Sequence, residues 1–73
     1  MSDIPIKAEI AGSIWKILKA VGETVVEDDK LMIMESMKME IPVLAPEKGT
    51  IKEILVGEGD TVEEGAVLVT LTV

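Results

Sequence analysis

The chain has no cysteine, no histidine, no arginine, no phenylalanine and no tyrosine. Each absence removes a class of function. Without cysteine there are no disulfides, and without cysteine or histidine only carboxylates remain as metal ligands. Nucleophile sets of the Ser/His or Cys/His kind cannot be built. All seven positive charges are lysines and the formal net charge is −7, so phosphate backbones would be repelled and nucleic acid is excluded as a partner. Trp15 is the single aromatic residue, which rules out stacking of bases on a sheet. No run approaches the ~20 apolar residues that a membrane-spanning helix needs. Met1-Ser2-Asp3 begins the chain without a basic region or an apolar run, so no signal peptide is visible and a cytoplasmic location is expected.

What is present is a repeat. Gly12 to Met34 aligns with Gly49 to Leu71 at a constant offset of 37 residues. Identities fall at Gly12/Gly49, Ile14/Ile51, Ile17/Ile54, Leu18/Leu55, Gly22/Gly59, Thr24/Thr61, Val25/Val62, Glu27/Glu64 and Leu31/Leu68. One supersecondary unit is used twice, and neither copy can bury its apolar face alone. Seventy-three residues allow one small domain, taken as 1–73, whose stability rests on its aliphatic core. The equivalent positions Ile14, Ile17, Leu31, Ile51, Ile54 and Leu68 are the expected core, closed by Val25 and Val62. Met32 and Met34 align with Val69 and Leu71 and join it as soft fillers.

Strand signals dominate. Ile4, Ile6, Ala8 and Ile10 alternate with Pro5, Lys7 and Glu9, which predicts a strand over 4–10 with those four side chains on one face. Further strands are predicted at 13–18, 24–25, 30–34, 39–44, 49–56, 61–62 and 67–73, with turns at Gly12, Gly22, 46–49, 57–59 and Gly65. Pro42 marks 39–44 as an edge or irregular strand. Residues 27–30 would tolerate a helix, but the second copy carries Gly65 and the β-branched Val67, Val69 and Thr70 at matching places. The repeat demands one structure for both, so strand prevails. Two such halves closed on each other give an all-β domain of eight short strands with hidden sheet edges. Gly57-Glu58-Gly59 has no helix after it and an acidic setting, and is not a phosphate loop. Asp28, Asp29, Glu63 and Glu64 lie on turns and are read as solvated.

Between the copies stands Glu35-Ser36-Met37-Lys38-Met39-Glu40. A free lysine, with a pKa of ~10.4, is a poor nucleophile at neutral pH, and nothing in the sequence would activate Lys38 in place. It is better suited to be modified by another enzyme than to catalyse. With Ala45-Pro46, Gly49-Thr50-Ile51 and Gly59-Asp60-Thr61-Val62-Glu63-Glu64-Gly65, this segment resembles the biotinyl/lipoyl attachment domain family, the biotin carboxyl carrier branch in particular. That branch reads close to Glu-Ala-Met-Lys-Met; Ser36 takes the alanine place. The resemblance covers about Ile4 to Val73. It lacks the thumb that some biotin carriers insert between their second and third strands, because only Lys19-Ala20-Val21 precede Gly22.

The resemblance implies a flattened eight-stranded barrel sandwich, without helices, with quasi-twofold symmetry. It implies a non-catalytic carrier, biotinylated on Lys38 by a biotin protein ligase that reads Glu35, Met37 and Met39. Such a carrier shuttles carboxybiotin between a biotin carboxylase and a carboxyltransferase, and is expected to be a monomer when alone. Lipoyl carriers usually show Asp-Lys-Ala at the turn, so Met37 and Met39 lean to biotin. Lipoate attached to the same lysine by a lipoyl ligase is the alternative. An unmodified β domain that binds a partner through a sheet face near Trp15 is a second.

Overall fold

The computed structural model describes residues 2–73. It contains eight strands: β1 Asp3–Lys7, β2 Gly12–Ile17, β3 Thr24–Val25, β4 Lys30–Ser36, β5 Met39–Leu44, β6 Gly49–Ile54, β7 Thr61–Val62 and β8 Val67–Thr72. There is no helix among the described residues, and hence none long and apolar enough to cross a membrane. The strands form two four-stranded sheets, in the orders β1-β8-β6-β3 and β5-β4-β2-β7. All neighbours are antiparallel. This is the all-β sandwich of two halves that the repeat predicts.

The offset of 37 carries β1 to β5, β2 to β6, β3 to β7 and β4 to β8, and so carries one sheet order onto the other. Local irregularities obey it too. A bulge lies between Ile14 and Lys16 in β2, and another between Ile51 and Glu53 in β6. Asp28 takes φ +71° where its counterpart Gly65 takes +89°. The amide of Asp28 donates to the carbonyl of Ala45 at 2.8 Å, as that of Gly65 donates to Ala8 at 2.8 Å.

The structure extends the repeat beyond the span found in the sequence. Because β1 corresponds to β5, Asp3/Glu40, Ile4/Ile41, Pro5/Pro42, Ile6/Val43 and Ala8/Ala45 are also equivalent. Both prolines thus fall on outermost strands, β1 and β5, where a missing N–H interrupts the template that an exposed edge offers to another chain. The other edges, β3 and β7, are only two residues long.

Two expectations are corrected. Gly12 is not a turn residue; it opens β2, as Gly49 opens β6. A β-carbon on Gly12 would lie 2.5 Å from the carbonyl oxygen of Glu35, and one on Gly49 2.8 Å from that of Thr72. Both glycines are needed because a neighbouring backbone passes where a side chain would be. The first strand also ends earlier than predicted, at Lys7. The register with β8 shifts between Ile6 and Lys7, the alternation is lost, and Ile10 emerges 38% exposed while Ile6 and Ala8 are buried.

The core lies between the sheets. Ile14, Leu31, Met32, Met34, Ile51, Leu68, Val69 and Leu71 are each under 2% exposed, with Val25 also sealed and Val62 nearly so. Ile17 and Ile54 are partly buried and pack against this cluster. No polar or charged residue is buried among the described residues, so cohesion comes from apolar burial and the strand ladders. Leu31 and Leu68 hold equivalent central places and should be equally costly to truncate. Leu31→Ala and Leu68→Ala are each expected to lose ~2–5 kcal/mol in urea denaturation. A neutral result for either would break the symmetric account of the core.

Candidate functional site

β4 and β5 form a hairpin that pairs Ser36 with Met39, leaving Met37 and Lys38 as a two-residue loop. Both loop residues have positive φ, +52° and +65°. That is the type I′ pattern, which matches the twist of the flanking strands but normally selects Asn-Gly or Asp-Gly. A residue with a β-carbon is disfavoured there by roughly 1–2 kcal/mol. Two such residues in succession, without glycine, mark strain at a place where function is the natural reason. The strain presents the side chains outward: Met37 is 88% and Met39 63% exposed, and Lys38 between them is exposed. The described residues offer Lys38 Nζ neither a hydrogen bond nor an ion pair. A covalent arm needs an unobstructed primary amine on a projecting, well-anchored turn, and Lys38 meets that requirement.

The base of the hairpin is held in two ways. The Ser36 hydroxyl donates to the carbonyl of Ala11 at 2.9 Å, tying the hairpin to the segment between β1 and β2. The backbone of Glu35 packs directly against Gly12. An alanine at 36, as in the biotin signature, would have no hydroxyl to make the first contact.

Glu35 and Glu40 lie directly opposite each other across the ladder, both exposed. The other half of the molecule serves as an internal control. The equivalents of Glu35, Glu40 and Trp15 are Thr72, Asp3 and Lys52. There Lys52 Nζ donates to Asp3 at 2.6 Å and the Thr72 hydroxyl donates to the same carboxylate at 3.2 Å. The hydrogen bond and charge of Lys52 hold the Asp3 carboxyl below the usual carboxylate range. One sheet is closed on itself by an ion pair; the other sets two carboxylates face to face and puts Trp15 where the lysine would be. Trp15 is 44% exposed, as its alignment with Lys52 predicts, and Lys16 Nζ lies 5.7 Å from its ring centre. The shared sheet, unlike the bare sequence, joins Glu35, Glu40 and Trp15 to one end of the molecule. The missed signal was the extension of the repeat to Asp3/Glu40.

These features generate two stability predictions. Met37→Asn should stabilise the fold by about 1 kcal/mol, since asparagine tolerates positive φ and Met37 buries almost nothing. Glu40→Lys should gain ~0.2–1 kcal/mol by turning a like-charge pair into an opposite one. Urea melts of both variants test this; a loss in either would show that the hairpin is not under the tension described.

A family model described as "Biotin-requiring enzyme" (Biotin_lipoyl) matches residues 4–71. The chain is similar to the biotin/lipoyl attachment protein of Bacillus subtilis, 40% identical over 67 residues that cover 92% of each chain. Among solved structures it superimposes on the urea carboxylase of Kluyveromyces lactis with a TM-score of 0.93 and 33% identity, covering 99% of this chain and 6% of that one. It also superimposes on the lipoyl domain of the 2-oxoglutarate dehydrogenase complex of Azotobacter vinelandii, with a TM-score of 0.74 and 39% identity over 85% of this chain and 78% of that one. A sandwich of two interlocked halves, with an open lysine on the strained turn between them, is therefore a carrier rather than a catalyst, and the chain belongs to the biotin/lipoyl attachment family.

Proposed function

We propose that the chain is a biotin carrier modified on Lys38, moving a carboxyl group between a biotin carboxylase and a carboxyltransferase. The observation that carries this reading is the exposed amine at the tip of a hairpin whose two loop residues both take the left-handed conformation. A biotin protein ligase supplies biotin as its acyl-adenylate. The Lys38 amine, deprotonated in the ligase site, attacks the acyl carbon. The bond to the adenylate phosphate breaks, AMP leaves, and an amide forms with release of a proton. The arm so made reaches roughly 14 Å from the backbone. When bound, biotin supplies a ring nitrogen that takes up and gives up the carboxyl group.

The chain's own residues do three things. The barrel and the Ser36–Ala11 tie hold the hairpin still. Met37 and Met39 flank the amine with exposed apolar surface for the ligase to read. Glu35 and Glu40 give that end a negative face, which suits a basic partner and speeds encounter with it. Tethering raises the concentration of the cofactor at each partner site to the order of mM. The carrier is proposed to act as a monomer in the cytoplasm.

A second reading, lipoylation of the same lysine by a lipoyl ligase, is favoured by the likeness to the A. vinelandii lipoyl domain and by Ser36 in place of the signature alanine. Methionines on both sides of Lys38 favour biotin over it.

Intact mass of the protein from its native host, grown with and without added biotin, should show a biotin adduct that Lys38→Ala abolishes. Streptavidin labelling that persists in that variant would place the attachment on another lysine. In a competition with both ligases and both cofactors present, the wild type should take mainly biotin. Met37→Asp should shift the product toward lipoate. An unchanged biotin fraction would remove Met37 from the recognition set.

A further inference from the structure

An open groove of about 180 Å³ lies beside the hairpin, between β5 and the segment that joins β1 to β2. Ile6, Met34, Ile41 and Val43 form its floor, and Ile10, Leu44, Lys7 and Glu9 form its rim. On the rim, Ile10 and Leu44 are apolar and 38% and 41% exposed.

The groove is also placed with respect to Lys38. Its far wall is the strand that leaves the turn: Ile41 is three residues beyond Lys38, or ~10 Å along an extended strand. Its near wall is pinned to the hairpin, because Ala11, which accepts the Ser36 bond, is the neighbour of Ile10. Along β5 the backbone groups of alternate residues face outward from an edge strand. Pro42, which has no N–H to offer, leaves its carbonyl on that side.

We propose that this groove is a resting site for the biotinyl arm of the same molecule. The inference rests on the assignment of biotin to Lys38. An arm of roughly 14 Å spans the distance to Ile10, Met34 and Ile41 without movement of the barrel. Its methylene chain and sulfur-containing ring match the apolar floor, and its ureido N–H groups match the open carbonyl of Pro42. Leu44, at ~20 Å, lies past the reach of the arm, so docking uses only the end of the groove near the hairpin. In the docked state the ring is shielded from solvent, and it is released when a partner offers a better site.

The test compares the unmodified protein with protein biotinylated by a biotin ligase, both checked by intact mass, in amide and methyl NMR spectra. Docking is expected to shift Ile10 and Ile41 as well as the turn. It should also slow streptavidin capture. Ile10→Glu, at an exposed position, should abolish the distant shifts and raise the capture rate about two-fold if the arm is docked half the time, while Ile10→Val keeps both at the wild-type level. Shifts confined to residues 36–40, or equal capture rates for Ile10→Glu and wild type, would overturn the resting site while leaving the carrier assignment intact. Failure of Lys38 to accept biotin at all would instead overturn the assignment, and the resting site with it.

Discussion

The structure depends on one constraint: neither half of the repeat owns a sheet. β1 and β3 come from the first half and β6 and β8 from the second, yet they form one sheet; β2 and β4 join β5 and β7 in the other. Ladders therefore cross between halves at β1–β8, β3–β6, β2–β7 and β4–β5. A half taken alone would retain only its internal pair, β2–β4 or β6–β8, an isolated hairpin that is marginal in water. Interlocking lets a chain with no disulfide and no buried polar residue hold a unique structure with aliphatic side chains. It also explains why Gly12 recurs as Gly49. Gly12 and Gly49 sit where one backbone must pass another, and a side chain there would wedge apart both halves at once.

Against that symmetry the departures are informative. Ser2 and Val73 exchange both backbone bonds, at 3.1 and 2.8 Å, in the place that corresponds to Met39 and Ser36. The second sheet continues through that place as a turn; the first has its chain ends there. Only the turn carries two left-handed side-chain-bearing residues, an unneutralised carboxylate pair and an exposed tryptophan nearby. A fold that could have closed this end as it closed the other, with Asp3, Lys52 and Thr72, leaves it open. Local rules that fail together at one place set it apart from a merely solvated surface.

Much of this was legible in the residues. The offset of 37 made the strand assignment mutual, so that Val67, Val69 and Thr70 settled the conformation of residues 27–34. Trp15 could be turned outward because Lys52 matched it. Lys38 stood out because it fell between the copies. What could not be read were features that exist only across the ladder. The face-to-face placement of Glu35 and Glu40 needs the hairpin register. The tie from Ser36 to Ala11 joins residues 25 apart in sequence. Ile10 fitted the alternation of its neighbours, but the register shift after Ile6 reset the pattern, and no residue type announces a shift of that kind. The equivalence of β1 and β5 is carried by the identities Ile4/Ile41, Pro5/Pro42 and Ala8/Ala45, but its meaning appears only when the two prolines are seen on matching edges.

The physical division of labour follows from these observations. A carrier must let a long arm move while denying movement to the point it swings from, since slack at the base adds directly to error at the tip. The strained turn is the stiffest way to end two strands: two residues, both in one narrow conformational well, above a base fixed by a hydroxyl bond and a glycine contact. Glycine in the loop would relieve the strain and also widen the well, because it visits both signs of φ with ease. Met37 and Lys38 in the left-handed region trade stability for a defined direction of the lysine stem. The cost is tolerable because the interlocked barrel, rather than the turn, supplies the cohesion of the domain.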